Sequence, residues 1–447
     1  MCEKYSLEAL LSRNEYICNC GKMHKNTLKA AVIEKNALQK ICGFIRDFEA
    51  SCAYVVSDIN TESAAGEAVK NLLIEGGIRY IDYVYPYKHF EPDERAVGAA
   101  FMHYSNECDI IIGVGSGVIN DICKLLSATA DKPYIIVATA PSMDGYASAT
   151  SSMIRDGLKI SLDSKCPEVI IGDLDILCSA PVKMICSGFG DMLAKYISIC
   201  EWRIGNLVTG EYYCEEVASI VRYALKKCVE SAKYIKNRDE DTVRNIMEGM
   251  IISGIAMNYA GISRPASGVE HYFSHIWDMR ALEFSTPMDF HGIQCAIGTV
   301  LALKVYDRIK SVIPDRNKAL KRAEAFSAED HFEALRSFLG RGAQAMIDSQ
   351  IKEDRYNQQK HLQRFEVIEK NWDKIIGIIN EELPDTALLI DLLEEIGAPV
   401  SVCDIGLTEG ETASAFLFTR DIRDKYILSS LLFDMGIDKE TAEEVFG

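Results

Sequence analysis

The sequence lacks features that would place it in several large classes of protein. No uninterrupted apolar run among its 447 residues is long enough to span a membrane, and no N-terminal signal sequence is recognisable. Positive charge is in deficit, since 48 Lys and Arg residues face 66 Asp and Glu residues, for a formal net charge of -18. This balance argues against a general nucleic-acid or anionic-membrane surface. Internal repeats and low-complexity segments are also absent, and we expect a globular cytoplasmic protein.

Cysteine, in contrast, is plentiful. The 15 cysteines are scattered through apolar elements, and without a signal sequence this favours reduced thiols over a disulfide framework. Cys18, Cys20 and His24, in CNCGKMH, are residue types that bind zinc. A structural zinc site needs a fourth ligand, however, and no second cysteine pair with finger spacing follows. We therefore interpret this stretch as an N-terminal turn.

The first 180 or so residues alternate short apolar runs with amphipathic stretches. Nearly all-apolar strands separated by helices are typical of a parallel sheet covered on both faces. A hairpin is predicted at 149–162, with its turn at Asp156 and Gly157. Strands are predicted at 54–59, 78–85, 109–115 and 134–139, and helices at 62–75, 93–106 and 117–128.

From Pro181 onward, helical periodicity dominates and no strand is predicted. The fold class that follows is an α/β domain with a parallel sheet at 1–180, followed by an all-α domain at 181–447. The helical segments are predicted at 182–202, 210–236, 239–260, 292–309 and 354–382.

Two loops follow predicted strands and carry the residue types of a nucleotide site. The first, 113–121 (GVGSGVIND), joins a strand to a helix, where glycines and helix N–H groups suit a pyrophosphate. A tight strand-to-helix turn also needs glycine, so the loop alone is weak evidence. The second, 139–145 (TAPSMDG), follows the next strand at the same edge of the sheet, where open α/β sheets bind ligands. Its alternative interpretation is a turn in which Asp144 caps backbone N–H groups.

Three segments of the second half carry an acid or imidazole near glycine. Asp191 follows SGFG, His271 and His275 lie four residues apart in GVEHYFSHIWD, and His291 precedes Gly292. A lone Asp in such a position is more often a helix cap, and a lone His more often a packed, hydrogen-bonded residue. Three protein ligands would leave coordination positions for a substrate oxygen, as a catalytic metal requires. The pattern favours a divalent metal site, with His275 either a ligand or a substrate contact.

These motifs together resemble one family. GVGSGVIND, TAPSMDGYAS, SGFGDMLAKY, SGVEHYFSHIWD and FHG are similar, in order, to motifs of the sn-glycerol-1-phosphate dehydrogenase family. This family belongs to the wider group of glycerol dehydrogenases, iron-containing alcohol dehydrogenases and dehydroquinate synthases. The tail, IGAP and then TRDIRDKY, also resembles the family pattern, so the resemblance covers almost the whole chain. CNCGKMH resembles a stretch at the start of bacterial members, where no metal role is implied.

The resemblance implies an N-terminal dinucleotide-binding domain, a helical C-terminal domain and an active site in the cleft between them. It implies Asp191, His271 and His291 as catalytic metal ligands, with Asp144, His275 and Asp191 beside the substrate. The bacterial members that the chain resembles are homodimers that use nickel or zinc. Asp58 would bind the adenosine ribose, and the other implied cofactor contacts are Gly115, Ser116, Gly117, Val118, Ile119, Asn120, Asp121, Thr139, Ala140, Pro141, Ser142 and Ser148.

The implied reaction is reduction of dihydroxyacetone phosphate to sn-glycerol 1-phosphate with NADH or NADPH, for glycerophospholipid synthesis. Asp58 favours NAD, with NADP left open. Two imidazoles and a carboxylate suit zinc, nickel and iron alike. Arg264, with Asn258 and Ser267 nearby, is our candidate for binding the substrate phosphate. The alternative is that Arg264 only forms an ion pair within the helical domain.

Three other functions remain as alternatives. A glycerol dehydrogenase would act on unphosphorylated substrates, but Ser116 stands where those enzymes tend to have a glycine. A lyase of the dehydroquinate synthase type would use a similar scaffold, but Asp191 stands where we expect a glutamate in that branch. A catalytically silent nucleotide-binding protein would not need the complete set of candidate ligands.

Overall fold

The computed structural model describes residues 3–447, and the chain divides into two compact units. The first contains Met1–Met192 and Glu216–Ile262, and the second contains Leu193–Glu215 and Ser263–Gly447. No helix of the described residues combines the length and the apolar character needed to cross a membrane.

The strands of the described chain all belong to the first unit. Six of them form a parallel sheet in the order β3-β10-β7-β6-β4-β5, and the other four form two antiparallel hairpins, β1-β2 and β8-β9. Their bounds are β1 Glu15–Ile17, β2 Met23–Lys25, β3 Ala30–Glu34, β4 Cys52–Asp58, β5 Arg79–Tyr85, β6 Ile110–Gly115, β7 Tyr134–Ala138, β8 Thr150–Arg155, β9 Leu158–Asp163 and β10 Val169–Asp173.

The central strands are apolar and rich in β-branched residues because helices cover both faces of the sheet. Every residue of β6, β7 and β10 is buried, and Val55, Ile112 and Val137 from neighbouring strands share one core. The predicted parallel sheet is thus confirmed. Gly115 pairs with Ala138, and Val56 with Gly113, so β4, β6 and β7 end side by side at the carboxyl edge.

The helices of the first unit lie before, between and after these strands, and α8 continues into the second unit. Local signals set their starts: Asp93 caps α5 by accepting from the amide of Ala96 at 2.8 Å, and Asp239 caps α10 through Thr242 at 3.0 Å. The bounds are α1 Leu7–Ser12, α2 Ile41–Asp47, α3 Ile59–Thr61, α4 Glu67–Glu75, α5 Glu94–His103, α6 Gly117–Ala130, α7 Leu174–Ser179, α8 Val182–Thr209, α9 Glu215–Ser231 and α10 Glu240–Ala260. A π-helical turn, Glu62–Gly66, joins α3 to α4.

The second unit contains only helices, as predicted. Asp315, Ser327, Asn357 and Asp385 each cap the helix that follows them with a side-chain oxygen. Besides the end of α8, the helices are α11 Val269–Phe284, α12 His291–Ile309, α13 Arg316–Ala325, α14 Ala328–Leu339, α15 Ala343–Glu353, α16 Gln358–Glu382, α17 Thr386–Ile396, α18 Thr412–Thr419, α19 Leu428–Met435 and α20 Asp438–Phe446.

The division of the chain differs from the predicted one, 1–180 and 181–447. Helix α10 belongs to the first unit because it packs on elements of the α/β part. Asn258 Nδ2 donates to the carbonyl of Ala147 at 2.8 Å, and Tyr259 Oη donates to the carbonyl of Arg13 at 2.8 Å. Composition changes at Pro181, but the packing of a helix onto an earlier part of the chain leaves no mark in local periodicity.

Candidate active site

Asp58 ends β4 at the carboxyl edge of the sheet and begins the following helical turn. Its Oδ1 accepts from the amides of Asn60 and Thr61, at 2.8 and 3.0 Å. Both bonds involve the same oxygen, so Oδ2 keeps its acceptor capacity for a hydroxyl group. The adjacent strand, β6, ends at Gly115, which places Asp58 beside the glycine loop.

The glycine loop begins helix α6 at Ser116. Ser116 has non-helical backbone angles and makes no capping hydrogen bond with its side chain. The first-turn amides of Gly117, Val118 and Ile119 therefore have no capping side chain, and a helix N-terminus of this kind suits an anionic group. This is the arrangement expected for a diphosphate.

The end of the glycine motif is fixed by buried bonds. Tyr134 Oη donates to Asn120 Oδ1 at 3.0 Å, and Asn120 Nδ2 donates to the carbonyl of Gly145 at 3.1 Å. Lys124 is fully buried, with its Nζ 2.9 Å from Asp121 Oδ1 and 3.1 Å from Ser148 Oγ. Burial raises the pKa of Asp121, against the opposing effect of the Lys124 ammonium. Asn120, Asp121 and Ser148 thus join the two predicted loops to each other.

The second loop lies against the first part of helix α8 within the first unit. Ser187 Oγ donates to the carbonyl of Ser142 at 2.8 Å, and Asp191 Oδ2 accepts from the amide of Asp144 at 2.9 Å. A Cβ atom on Gly188 would clash with the carbonyl of Pro141. The SGFGD motif therefore serves two purposes: a close approach of helix to loop, and placement of a buried carboxylate.

Hydrogen bonds from several elements also hold the second loop in place. Tyr146 Oη donates to the carbonyl of Ala140 at 2.7 Å, and Ser253 Oγ donates to Asp144 Oδ2 at 2.9 Å. Thr139 donates through its amide to the carbonyl of Gly115 at 3.1 Å. Asp144 is thus an ordered acidic side chain at the same edge of the sheet.

In the second unit, His271 is oriented by its neighbour in sequence. Its Nδ1 lies 2.9 Å from Oε1 of Glu270, a fully buried carboxylate. An imidazole that donates from Nδ1 to a carboxylate presents the lone pair of Nε2, as metal-binding histidines do. Glu270 Oε1 also accepts from the amide of Gly268 at 2.6 Å, which fixes the carboxylate.

His291, at the start of α12, has a matching arrangement. Its Nδ1 lies 2.9 Å from Ser274 Oγ, which donates to Gln294 Oε1 at 2.7 Å. The rings of His271 and His291 are 5.1 Å apart, and His275 stacks on His291 at 6.1 Å. The structure therefore brings all three predicted histidines together.

Cys295 is a ligand candidate that sequence reasoning missed. Its Sγ lies 3.5 Å from His291 Nε2, and His271, His291 and Cys295 offer ligand atoms within 4.8 Å of one another. The i,i+4 spacing of His291 and Cys295 on α12 is the signal that would have identified it.

Arg264, our candidate for binding the substrate phosphate, lies among buried polar groups of the second unit. Arg264 is 1% exposed, and its guanidinium forms a two-pronged ion pair with Glu211, at 3.1 Å from Nε and 2.8 Å from Nη2. Nη2 also donates to the carbonyl of Glu201 at 2.9 Å. These bonds use Nε and Nη2 and accord with the alternative of an ion pair within the helical unit, whereas Nη1 makes no hydrogen bond to the described residues. Asn258 contacts Ala147 in the first unit.

A different cation lies at the start of α11. Lys425 Nζ donates to Ser267 Oγ at 2.5 Å and to the Ser267 carbonyl at 3.0 Å, in the loop that leads into the helix. Burial, and then the charges of Arg264 and Arg423, lower the pKa of Lys425 to about 7. An ammonium held beside like charges favours an anionic partner.

Comparison with known proteins shows the family of this chain. The model of the family "Iron-containing alcohol dehydrogenase" matches residues 32–181. The chain is 28% identical over 415 residues to the NAD(P)+ glycerol-1-phosphate dehydrogenase of Halalkalibacterium halodurans, covering 92% of this chain and 94% of that one. It is 33% identical over 301 residues to the Bacillus subtilis enzyme of the same name, covering 65% and 76%. The chain belongs to the glycerol-1-phosphate dehydrogenase family.

Membership of the glycerol-1-phosphate dehydrogenase family confirms the resemblance found in the motifs. Among solved structures, a probable glycerol dehydrogenase from Sinorhizobium meliloti 1021 has a TM-score of 0.57 and 15% identity, covering 93% of this chain and 98% of that one. At such an identity the likeness concerns the fold alone. It places the chain in the fold of the wider dehydrogenase group.

Proposed function

We propose that the protein is a metal-dependent dehydrogenase that reduces dihydroxyacetone phosphate to sn-glycerol 1-phosphate with NADH or NADPH, reversibly. The observation that carries the proposal is the orientation of His271 and His291, whose Nδ1 atoms face Glu270 and Ser274. The names of the curated relatives, which include Methanosarcina mazei glycerol-1-phosphate dehydrogenase, supply the substrate and the nicotinamide cofactor.

Asp191, His271 and His291 are the proposed ligands of one divalent metal. The residues fit such an ion because each imidazole presents Nε2 and Asp191 supplies a buried carboxylate. Asp191 lies on α8, two residues before Leu193, where the second unit begins. Nitrogen and oxygen ligands of this kind suit nickel or zinc, and also iron.

The dinucleotide is proposed to bind at the carboxyl edge of the sheet. Asp58 would accept from a ribose hydroxyl, and the amides of Gly117, Val118 and Ile119 would face the diphosphate. The bonds of Asn120, Asp121 and Ser148 would keep the loops in place around it.

Lys425 is the residue that we now propose for the substrate phosphate, in place of Arg264. The support is its ammonium at Ser267, on the loop that begins α11, together with the nearby positive charges of Arg264 and Arg423. His275 and Asp144 would contact the three-carbon part of the substrate, since His275 stacks on His291 and Asp144 is hydrogen bonded to Asp191.

When bound, the metal supplies Lewis acidity to a carbonyl oxygen, and the nicotinamide supplies the hydride. The chain's own residues would bind the metal, the cofactor and the substrate and hold them in position. Glu270 and Ser274 fix the ring orientation of the two histidines, and the loop 139–148 is held against α8. Positioning of this kind removes orientational freedom from the reacting groups before the reaction begins.

We also propose the finer features that the family resemblance implies. These are nickel or zinc as the metal, NAD as the preferred cofactor, a homodimer, a cytoplasmic location and a role in glycerophospholipid synthesis.

The test is NADH oxidation by the purified protein after chelation and re-addition of nickel, zinc, iron or magnesium. We expect metal-restored oxidation with dihydroxyacetone phosphate and little with dihydroxyacetone. Equal rates with both substrates would favour a glycerol dehydrogenase, and an absence of metal-dependent oxidation would contradict the proposal. His291→Ala should abolish activity, whereas His103→Ala, at an exposed histidine on α5, should not.

A further inference from the structure

The N-terminal hairpin gathers residues that the proposed reaction does not use. Strands β1 and β2 are joined by a turn in which Gly21 donates its amide to the carbonyl of Cys18 at 2.9 Å. Gly21 has φ +84, in the left-handed region that favours glycine. The predicted turn is thus confirmed, and it also brings three side chains with ligand atoms close together. Cys18, Cys20 and His24 offer ligand atoms within 4.8 Å of one another.

His24 has the orientation of a metal-binding histidine. The ring is fully buried, and its Nδ1 lies 2.5 Å from the carbonyl oxygen of Tyr259, to which it donates. A neutral imidazole that donates from Nδ1 presents the lone pair of Nε2, and this atom lies 3.6 Å from Cys20 Sγ. Tyr16 and Tyr259 pack on the ring, at centroid distances of 5.3 and 5.5 Å, and hold it in place.

The N-terminal segment is tied to the start of helix α9. Glu216 accepts from Lys4 Nζ at 2.9 Å and from Arg13 at 3.4 Å. The Arg13 guanidinium lies 4.1 Å from the centre of the Tyr16 ring, which in turn packs on His24. Cys214 precedes Glu216 by two residues and is buried. Cys214 is therefore close in sequence to Glu216, whose side chain binds the N-terminal segment.

We propose that Cys18, Cys20, His24 and Cys214 bind one zinc ion as a structural site, separate from the proposed catalytic metal. Three thiolates and one imidazole form a ligand set that zinc takes up in closed tetrahedral sites. Binding would release the thiol protons and would fasten the hairpin to α10 and to the start of α9. The site has no open position, so its role would be stability and not catalysis.

The metal content of the full-length protein, measured by plasma mass spectrometry after saturation with zinc and removal of excess, tests this proposal. We expect two zinc ions per chain in the wild type and one in Cys18→Ser/Cys20→Ser. Cys214→Ser should also lose one zinc ion. Cys403→Ser, at an exposed cysteine, is the matched control and should keep both. His291→Ala should lose the other zinc ion, so failures of the two proposals are distinguishable.

X-ray absorption on the wild-type protein provides a second measurement that needs no variant to fold. To isolate the proposed structural site, the spectrum would be compared with that of His291→Ala. Sulfur ligands at about 2.3 Å around zinc, retained in His291→Ala, would support the proposal. A zinc spectrum without sulfur, or an unchanged zinc content in Cys18→Ser/Cys20→Ser, would overturn it.

Discussion

The amide of Asp144 donates a hydrogen bond to Oδ2 of Asp191 at 2.9 Å. This bond joins the loop after β7 to helix α8, next to the close contact that Gly188 allows. Two segments that the sequence separates by 47 residues thereby fix one buried carboxylate. The proposed metal ligand and the proposed substrate contact are thus held in a single hydrogen-bonded unit.

Asp191→Asn tests the charge of this carboxylate. The amide side chain keeps an acceptor for Asp144 but loses the negative charge that a divalent cation needs. We expect kcat/KM to fall by more than about 100-fold, beyond the effect typical of groups that only orient a ligand. Metal content and kcat/KM are the measurements, and a variant with full metal content and an unchanged rate would remove Asp191 from the ligand set.

Glu270→Gln tests the orientation of His271. The amide oxygen still accepts from Nδ1, but without the negative charge that raises the basicity of the ring. We expect metal affinity to fall by about 10–100-fold, with activity recovered at raised metal concentration. Titration of the metal-free protein followed by activity measures this. If the affinity did not change, the bond between Glu270 and His271 would be structural only.

Asp58→Asn tests the choice of cofactor. Asn keeps the cap on the amides of Asn60 and Thr61, so thermal stability should change little. The carboxylate that repels a 2′-phosphate is lost, and we expect kcat/KM for NADPH to rise relative to NADH. An unchanged ratio between the two cofactors would place the ribose elsewhere. Asp58→Ala, which also removes the cap, should lose about 1 kcal/mol of stability.

Lys425→Gln tests the phosphate contact through its pH dependence. The pKa of Lys425 is about 7, so the ammonium is present below that pH and is lost above it. We expect kcat/KM for dihydroxyacetone phosphate to fall several-fold between pH 7 and about pH 8.5, because the charge that attracts the phosphate disappears. In Lys425→Gln the value should be low at every pH and this step should vanish. The same step with unphosphorylated dihydroxyacetone would argue against a phosphate contact.

Glu201→Gln tests a buried acid in the second unit. Burial and the nearby Glu270 carboxylate raise the pKa of Glu201 to about 8, despite the opposing charge of Arg264. The folded protein therefore retains a proton that the unfolded chain loses near pH 4.5, and the free energy of unfolding falls as pH rises toward 8. The variant should lack this pH-dependent part of the free energy of unfolding, which is on the order of a few kcal/mol.

Chemical denaturation of both proteins between about pH 5 and pH 8 measures the Glu201 effect. Gln cannot accept from both Val269 and Leu428 as the carboxyl group does, and this loss is the same at every pH. The slope with pH is thus the informative quantity. Parallel slopes for the two proteins would show that Glu201 does not titrate in this range.

Much of the first unit follows from its sequence because its signals are local. Apolar strands such as β6 and β7, the turn at Asp156 and Gly157, and the glycine loop each have a pattern within a few residues. Strands β3 and β10 were not predicted. Strand β3 forms the edge of the sheet, where burial is partial and the apolar pattern weak, whereas β10 is buried throughout and its apolar run was missed.

The candidate site was predictable in its residue types but not in its supporting bonds. The histidines are visible as motifs, whereas the roles of Glu270 and Ser274 depend on side-chain orientation. For Arg264 the residue type was visible but its ion-pair partner was not, because Glu211 lies 53 residues away in sequence. The same holds for the proposed zinc ligand Cys214, which follows Cys20 by 194 residues and has no finger spacing to the hairpin cysteines.

The discontinuity of the first unit bears on how the chain can fold and be cut. Because α10 packs on elements of the α/β part, the first unit is incomplete until residues near Ile262 have been synthesised. On the ribosome, a nascent chain that ends at Met192 would expose the surface on which Gly254 and Tyr259 later pack. A gene fragment cut at the same residue would have the same defect. Expression of the α/β half by itself therefore requires that Glu216–Ile262 be grafted back onto it.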